Sequence, residues 1–423
     1  MERTVIRGVM VASLLWLSGC GSSDLSQPAN ETVIGGEVVV DLDGKSIKYS
    51  LLEQGVPGVD ENTTVYGYKA YKIPYTTTDE EGNEVAVSGL MVIPTGVPDV
   101  VKQLGFSVVS DSHGTIFANK EAPTQIALDT SSPDGAPVIL TSLTAFVTLQ
   151  ADYIGFGDSF GHYHPFVLKR SLANATVDFI EAARKFAADN NIPLNGQLFL
   201  TGYSEGGYAA MAALEKIEAE GSMQVTLAAP MAGPYALDAM AQGVLFSDTL
   251  GVPSFMADVA YAYANAYNRP LTELINEPYA SKLPTLFDGL YTREEIDPEL
   301  TTVTSGEDGL FTSAVVENYF NDPEYWFKEA MLDNDTYQWA PQTPVRLIHC
   351  QGDDVIPYAI SELTEGTMQA MDAADVALVP VEATLAAYGM GDGSLLGHAE
   401  CAAPAYGLTA QIFSGIREAT IGY

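Results

Sequence analysis

The chain is short of basic side chains, cysteine and histidine, and each shortage narrows what it can do. Lys and Arg together number 19 against 55 Asp and Glu, a formal net charge of −36. A surface of that sign excludes nucleic-acid or anionic-lipid binding through a basic patch. With only 3 cysteines and 5 histidines, the choice of any general base or metal ligand is short. Past the N-terminus no stretch has the unbroken apolar length of a transmembrane helix. There are no internal repeats and no low-complexity tracts. What is present is a chain of 423 residues with 47% hydrophobic content. It can bury a large core and is long for one ordinary domain, so a main domain carrying an insertion is expected.

The first residues read as a targeting segment. Arg3 and Arg7 form a positive start, Val9 to Leu17 an apolar run, and Leu17-Ser18-Gly19-Cys20 follows. This resembles the lipobox of bacterial lipoproteins, in which the cysteine is lipidated and becomes the first mature residue. Residues 1–19 are therefore expected to be a signal peptide and Cys20 a lipid anchor. A plain secretory signal with an incidental cysteine is the alternative. Lipidation would tether an exported protein to a membrane without spanning it. Gly21 rather than an aspartate follows, which favours outer-membrane sorting in a Gram-negative envelope. Residues 20–35, rich in Gly, Ser, Asn and Pro, read as a flexible tether.

The informative stretch is Gly202-Tyr203-Ser204-Glu205-Gly206-Gly207. An apolar β-type run ends at Gly202 and an Ala-rich helical run follows Ser204. Gly-x-Ser-x-Gly in that context resembles the nucleophile elbow of α/β-hydrolases. A serine on a one-residue hinge between strand and helix is held in a strained conformation with its hydroxyl lifted clear. The flanking Gly202 and Gly206 keep side chains out of a close packing contact. A surface turn that happens to hold a serine is the alternative.

Along the chain, strands are predicted at 37–42, 66–75, 84–93, 104–109, 146–153, 225–229, 345–350 and 376–381, besides the one entering the elbow. A helix capped by Ser171 precedes the elbow strand, and a final helix spans about 401–416. Between 234 and 343 the β-type runs stop and aromatic-rich helical patterns take over. That segment is read as a helical cap or lid over a core of residues 36–233 and 344–423. The fold class expected is α/β, a mostly parallel sheet flanked by helices.

A serine nucleophile needs a base, and in α/β-hydrolases the order along the chain is Ser, acid, His. His113, His162 and His164 precede Ser204, and His349 lies within a strand. His398 remains, in a glycine-containing loop before the last helix. Asp353 and Asp354 both follow the strand ending at Cys350. His113-Gly114-Thr115 ends another predicted core strand, with His113 expected to anchor the loop through its side chain. His162 and His164, near Asp152 and Asp158, form at most a weak metal pattern. No metal or other cofactor is expected. If the acid and base loops converge, Cys350 and Cys401 lie close together, and an exported compartment permits a bridge. Two buried thiols are the alternative. A zinc site from His349, Cys350, His398 and Cys401 is disfavoured, because adjacent strand residues point to opposite faces.

Taken together, Gly-Tyr-Ser-Glu-Gly-Gly, His-Gly-Thr, Ala-Asp-Tyr-Ile-Gly-Phe-Gly-Asp-Ser and the Asp and His loops are similar to bacterial α/β-hydrolases related to secretory lipases of the lipase A type. The likeness covers about residues 100–423 and does not extend to 36–100 or to the cap sequence. It implies hydrolysis of a small-molecule carboxylic ester or lipid through a seryl acyl-enzyme. It also implies Asp353 as the acid, four residues before the proline of Val-Ile-Pro, with Asp354 a loop residue. Gly114 then shapes the loop whose Thr115 amide, with that of Glu205, forms the oxyanion hole. The acidic Glu205 is expected to disfavour negatively charged substrates. A peptidase of the same fold and a surface lipoprotein with a vestigial site are the alternative functions.

Overall fold

The computed structural model describes residues 34–53, 59–127 and 135–423. Nine strands form one sheet: β1 (Glu37–Leu42), β2 (Gly67–Thr78), β3 (Glu84–Thr95), β4 (Phe106–Ser112), β5 (Val147–Ala151), β6 (Leu194–Tyr203), β7 (Leu227–Met231), β8 (Val345–His349) and β9 (Val376–Pro380). Their order is β1-β2-β3-β5-β4-β6-β7-β8-β9. The first three pair antiparallel, β3 meets β5 antiparallel, and every pair beyond is parallel. The tight turn joining β2 to β3 closes through Asp79, whose amide donates to Asn83 O at 3.0 Å. Parallel neighbours instead need crossover helices, and these cover both faces of the sheet.

The alternation of side chains along each strand sorts the core into two halves. Leu198 and Leu200 of β6 pack toward the helices Lys169–Asp189 and Glu205–Glu220. Phe199 between them packs toward the terminal helix His398–Thr420, with Phe146 and Phe413. Between β7 and β8 the chain forms helices at Leu237–Phe246, Pro253–Ala266, Tyr279–Leu286, Ser313–Asn321 and Trp326–Asp333. No described helix is long and apolar enough to cross a membrane.

Two local expectations are corrected, and one helix is added to those expected. Ser171 lies inside the helix that begins at Lys169. Its amide is instead satisfied from a distance, by Glu80 Oε1 of the β2–β3 turn at 2.7 Å, an acidic group at a helix N-terminus. The terminal helix starts at His398, three residues before Cys401, since the Cys401 amide already donates to Gly397 O at 2.9 Å. A further helix, Gly44–Glu53, buries Ile47 and Leu51 between β1 and β2 in sequence. The proposed signal peptide, Cys20 and most of the tether lie outside the described residues.

Candidate active site

Strand β6 ends at Tyr203 and a helix starts at Glu205, leaving Ser204 alone at φ 61°, ψ −124°. A non-glycine residue there costs about 1–3 kcal/mol and persists only when its surroundings fix it. The Ser204 amide donates to Met231 O at 2.9 Å and its carbonyl accepts from the Tyr208 amide at 3.2 Å. Gly206 is required because a Cβ would overlap the Ser112 carbonyl and come within 2.8 Å of His113 O. A Cβ on Gly202 would meet Gly206 C at 2.5 Å. Strand β4 and the loop after it are thereby pressed onto the elbow. Gly114 of that loop approaches the elbow less closely, its would-be Cβ 3.1 Å from Tyr203 O. The His113 ring steadies this loop, Nδ1 donating to Gly114 O at 2.7 Å, and packs at a tilt against Tyr153.

Ser204 Oγ lies 2.9 Å from His398 Nε2, and His398 Nδ1 lies 2.6 Å from Asp353 Oδ2. The carboxylate facing Nδ1 fixes the proton there, which leaves the Nε2 lone pair toward the serine. Asp353 is fully shielded, and its Oδ1 accepts from the amides of Val355 at 2.9 Å and Ile356 at 2.8 Å. Burial alone would raise this carboxyl. The hydrogen bonds from His349 and His398, the charge of His398 and the Val355 amide outweigh it and hold Asp353 well below the usual carboxylate range. Asp354 binds differently: its Oδ1 accepts from the His398 backbone amide at 2.9 Å and so starts the terminal helix. Tyr203 closes the arrangement, its hydroxyl donating to His398 O at 2.6 Å.

His349, set aside in the sequence as a strand residue, belongs to this group. Its Nε2 lies 3.1 Å from both Asp353 Oδ2 and Ile356 O, two acceptors, so Nε2 carries a proton. Nδ1 then accepts from Ser361 Oγ at 2.7 Å. The only signal for this role in the sequence is a polar ring ending a buried strand just before the acid loop. Cys350 and Cys401 are joined by a disulfide that connects the end of β8 to the first turn of the helix bearing His398.

Glu205 does not face the cavity. It is buried, with Oε1 2.7 Å from His164 Nε2, while His164 Nδ1 donates to Ile154 O at 3.0 Å. Burial lowers the His164 pKa, but the charge and hydrogen bond of Glu205, with the Asp258 charge and the Ile154 carbonyl, together outweigh it and raise it, favouring an ion pair with Glu205. The expected repulsion of anionic substrates by Glu205 is therefore corrected, since its charge is directed at an imidazolium. The weak metal pattern is also dispersed. Asp152 accepts from Ser88 and Thr124, Asp158 pairs with Lys72, and His164 is engaged as above. Among the described residues no group of three or more His, Cys, Asp and Glu is disposed to hold a metal.

Ser204 and His398 open into a cavity of about 550 Å³. Gly114, Thr115 and Ile116 border it beside Ser204. Glu205 opens the elbow helix, where N–H groups lack intrahelical acceptors.

The sheet order, the elbow and the Ser–His–Asp alignment define an α/β-hydrolase. A family model described as secretory lipase matches residues 139–378, and the chain belongs to that family of exported ester hydrolases acting on small-molecule esters. Among solved structures it is similar to a proposed hydrolase from Legionella pneumophila, at 22% identity over 92% of this chain and 99% of that one, TM-score 0.77. The rice cell wall degrading esterase LipA from Xanthomonas oryzae gives 23% identity over 93% and 98%, TM-score 0.74. Candida antarctica lipase A gives 15% over 82% and 75%, TM-score 0.56. At these identities the likeness shows the fold. No curated protein matches the chain.

Proposed function

We propose that this protein cleaves carboxylic esters through a seryl acyl-enzyme formed on Ser204, with His398 as base and Asp353 as its acid partner. The observation that carries the reading is the unbroken line Ser204 Oγ–His398 Nε2 at 2.9 Å and His398 Nδ1–Asp353 Oδ2 at 2.6 Å. Ser204 attacks the ester carbonyl carbon as its proton passes to His398 Nε2. The oxyanion is held by the Thr115 and Glu205 amides, each worth about 3 kcal/mol. Asp353 stabilises the imidazolium without taking its proton. His398 then delivers that proton to the departing alkoxide oxygen. A water molecule, deprotonated by the same nitrogen, attacks the acyl carbon and releases the acid and Ser204.

Residues 234–343 act in this reading as a cap. Phe255 and Arg293 from that segment border the cavity, which supports it. Cys20 is the lipid attachment point of the exported form, a reading that rests on Leu17-Ser18-Gly19-Cys20 alone. A Cys20→Ala form released into the soluble fraction is the outcome expected; continued membrane association would remove the anchor. For the reaction itself, a panel of nitrophenyl esters should be turned over by the native protein and not by Ser204→Ala. Equal turnover by both would refute the assignment.

A further inference from the structure

The segments that carry Asp353 and His398 share a further fastening, and it comes from a third part of the chain. Glu382 is the second residue of the short helix Val381–Ala387, which follows β9. Glutamate is rarely buried without partners, and this one is 3% exposed. Its partners are backbone amides. Oε2 accepts from Gln351 N at 2.9 Å, and Oε1 accepts from both Gly352 N and Leu396 N at 3.1 Å. Gln351 and Gly352 lead directly into Asp353, and Leu396 stands two residues before His398. The two segments meet at backbone distance there, since a Cβ on Gly352 would come within 2.8 Å of Leu396 N and O. Of the amides in the mostly exposed residues 391–398, those of Leu396 and His398 donate to other segments, to Glu382 and Asp354 respectively. That of Ser394 stays within the loop, on Asp392.

We propose that Glu382 is a positioning residue for the reaction, its carboxylate setting the Asp353 segment against the His398 segment. The proposal rests on the Ser204–His398–Asp353 reading and adds a residue outside that line. The cavity is bordered by His398, Ala399 and Ala402 of the terminal helix and not by Glu382, so Glu382 acts on rate through His398 rather than on substrate binding. The bridge at Cys401 holds the helix just after His398, and Glu382 holds the backbone just before it, at Leu396. The imidazole therefore stands between two fixed points. A carboxylate accepts at both oxygens, whereas a carboxamide accepts at one end and donates from the other. In Glu382→Gln an NH2 group would face the Gln351 amide, or else the Gly352 and Leu396 amides together, whichever way the side chain lies. Donor would meet donor, and the segment concerned must shift. A displacement of about 1 Å at a catalytic group can cost about a hundredfold in rate.

The test compares native protein, Glu382→Gln and Glu382→Ala. Ser204 is titrated with a fluorophosphonate to its end point, and kcat per titrated site and KM are measured with nitrophenyl butyrate. Titration counts folded, assembled sites, so a purely structural loss lowers their number and leaves turnover per site unchanged. The expected result is a fall in kcat per site of about tenfold in Glu382→Gln and about a hundredfold in Glu382→Ala, with KM close to native. Turnover per site close to native in both variants, a loss confined to the number of titratable sites, or a loss carried by KM would overturn the positioning role while leaving the ester reaction standing. Failure of folded native protein to be labelled or to turn over the ester would instead remove the Ser204 reading beneath it.

Discussion

His349 Nε2 donates to Asp353 Oδ2, the same oxygen that faces His398 Nδ1, at 3.1 Å. With two backbone amides on Oδ1, every acceptor position of that buried carboxylate is directed, and the His349 ring is itself held by Ser361. His349 is thus a positioning residue. In His349→Phe, a carboxylate that has lost one donor holds the His398 imidazolium more tightly. The acidic limb of the kcat/KM profile should then move to higher pH by about half a unit, and kcat should fall about tenfold. His349→Gln, which keeps a donor, should recover much of both. A loss of melting temperature with an unmoved pH limb would assign His349 a structural role only.

Asp353 and Asp354 separate by substitution. Asp353→Asn leaves His398 in the wrong tautomer and should lower kcat about 10⁴-fold. Asp354→Asn removes a charged acceptor from the His398 amide at the helix start and should cost about tenfold or less. Steady-state kinetics of both variants decide it; the reverse ranking would contradict the assignment.

The Cys350–Cys401 bridge closes a loop spanning 51 residues of sequence. By chain entropy it stabilises the fold by about 4 kcal/mol. Both cysteines are buried, so the double Cys→Ala variant tests this better than a reductant. Its unfolding free energy from urea denaturation should fall by that margin, and it should lose activity before global unfolding, because the bridge ties the Asp353 and His398 segments together. Unchanged denaturation would refute a stabilising role.

Asp258, on the helix Pro253–Ala266, is pushed up to about 8 by burial, with His164 opposing and Glu205 adding to the rise. An unfolded aspartate titrates at about 3.9. Between those values the native state holds a proton that the unfolded chain has lost, so stability falls as pH rises through the window and levels off above it. Asp258→Asn does not titrate. Its stability relative to the native protein should therefore grow by up to about 1.4 kcal/mol per pH unit up to about pH 8. A difference that stays flat from about pH 5 to 9 would contradict this.

The elbow was legible in sequence because its steric demands are local: Gly202 and Gly206 flank Ser204 at fixed spacing, and strand and helix patterns adjoin it. The nearness of Cys350 and Cys401 followed from requiring two loops to meet at one serine. What was not legible depends on partners distant in sequence. Glu80 replaces a local cap for the helix beginning at Lys169, across 91 positions to Ser171. His349 looks like any buried strand residue until Asp353 folds back onto it. One wall of the cavity comes from β1, β2 and β3, the part of the chain where family resemblance gave no guidance, and only the register of those strands brings Val40, Ala70 and Val92 into one row. Glu205 reads as an exposed acid beside the nucleophile until His164 is found 2.7 Å away.

The central claim is that Ser204 is an activated nucleophile, and fluorophosphonate labelling tests it most directly. Native protein should be labelled covalently, with the adduct mapped to the peptide containing Ser204, while Ser204→Ala and His398→Ala remain unlabelled at the same concentration. Equal labelling of native protein and Ser204→Ala, or no labelling of folded native protein, would contradict the account.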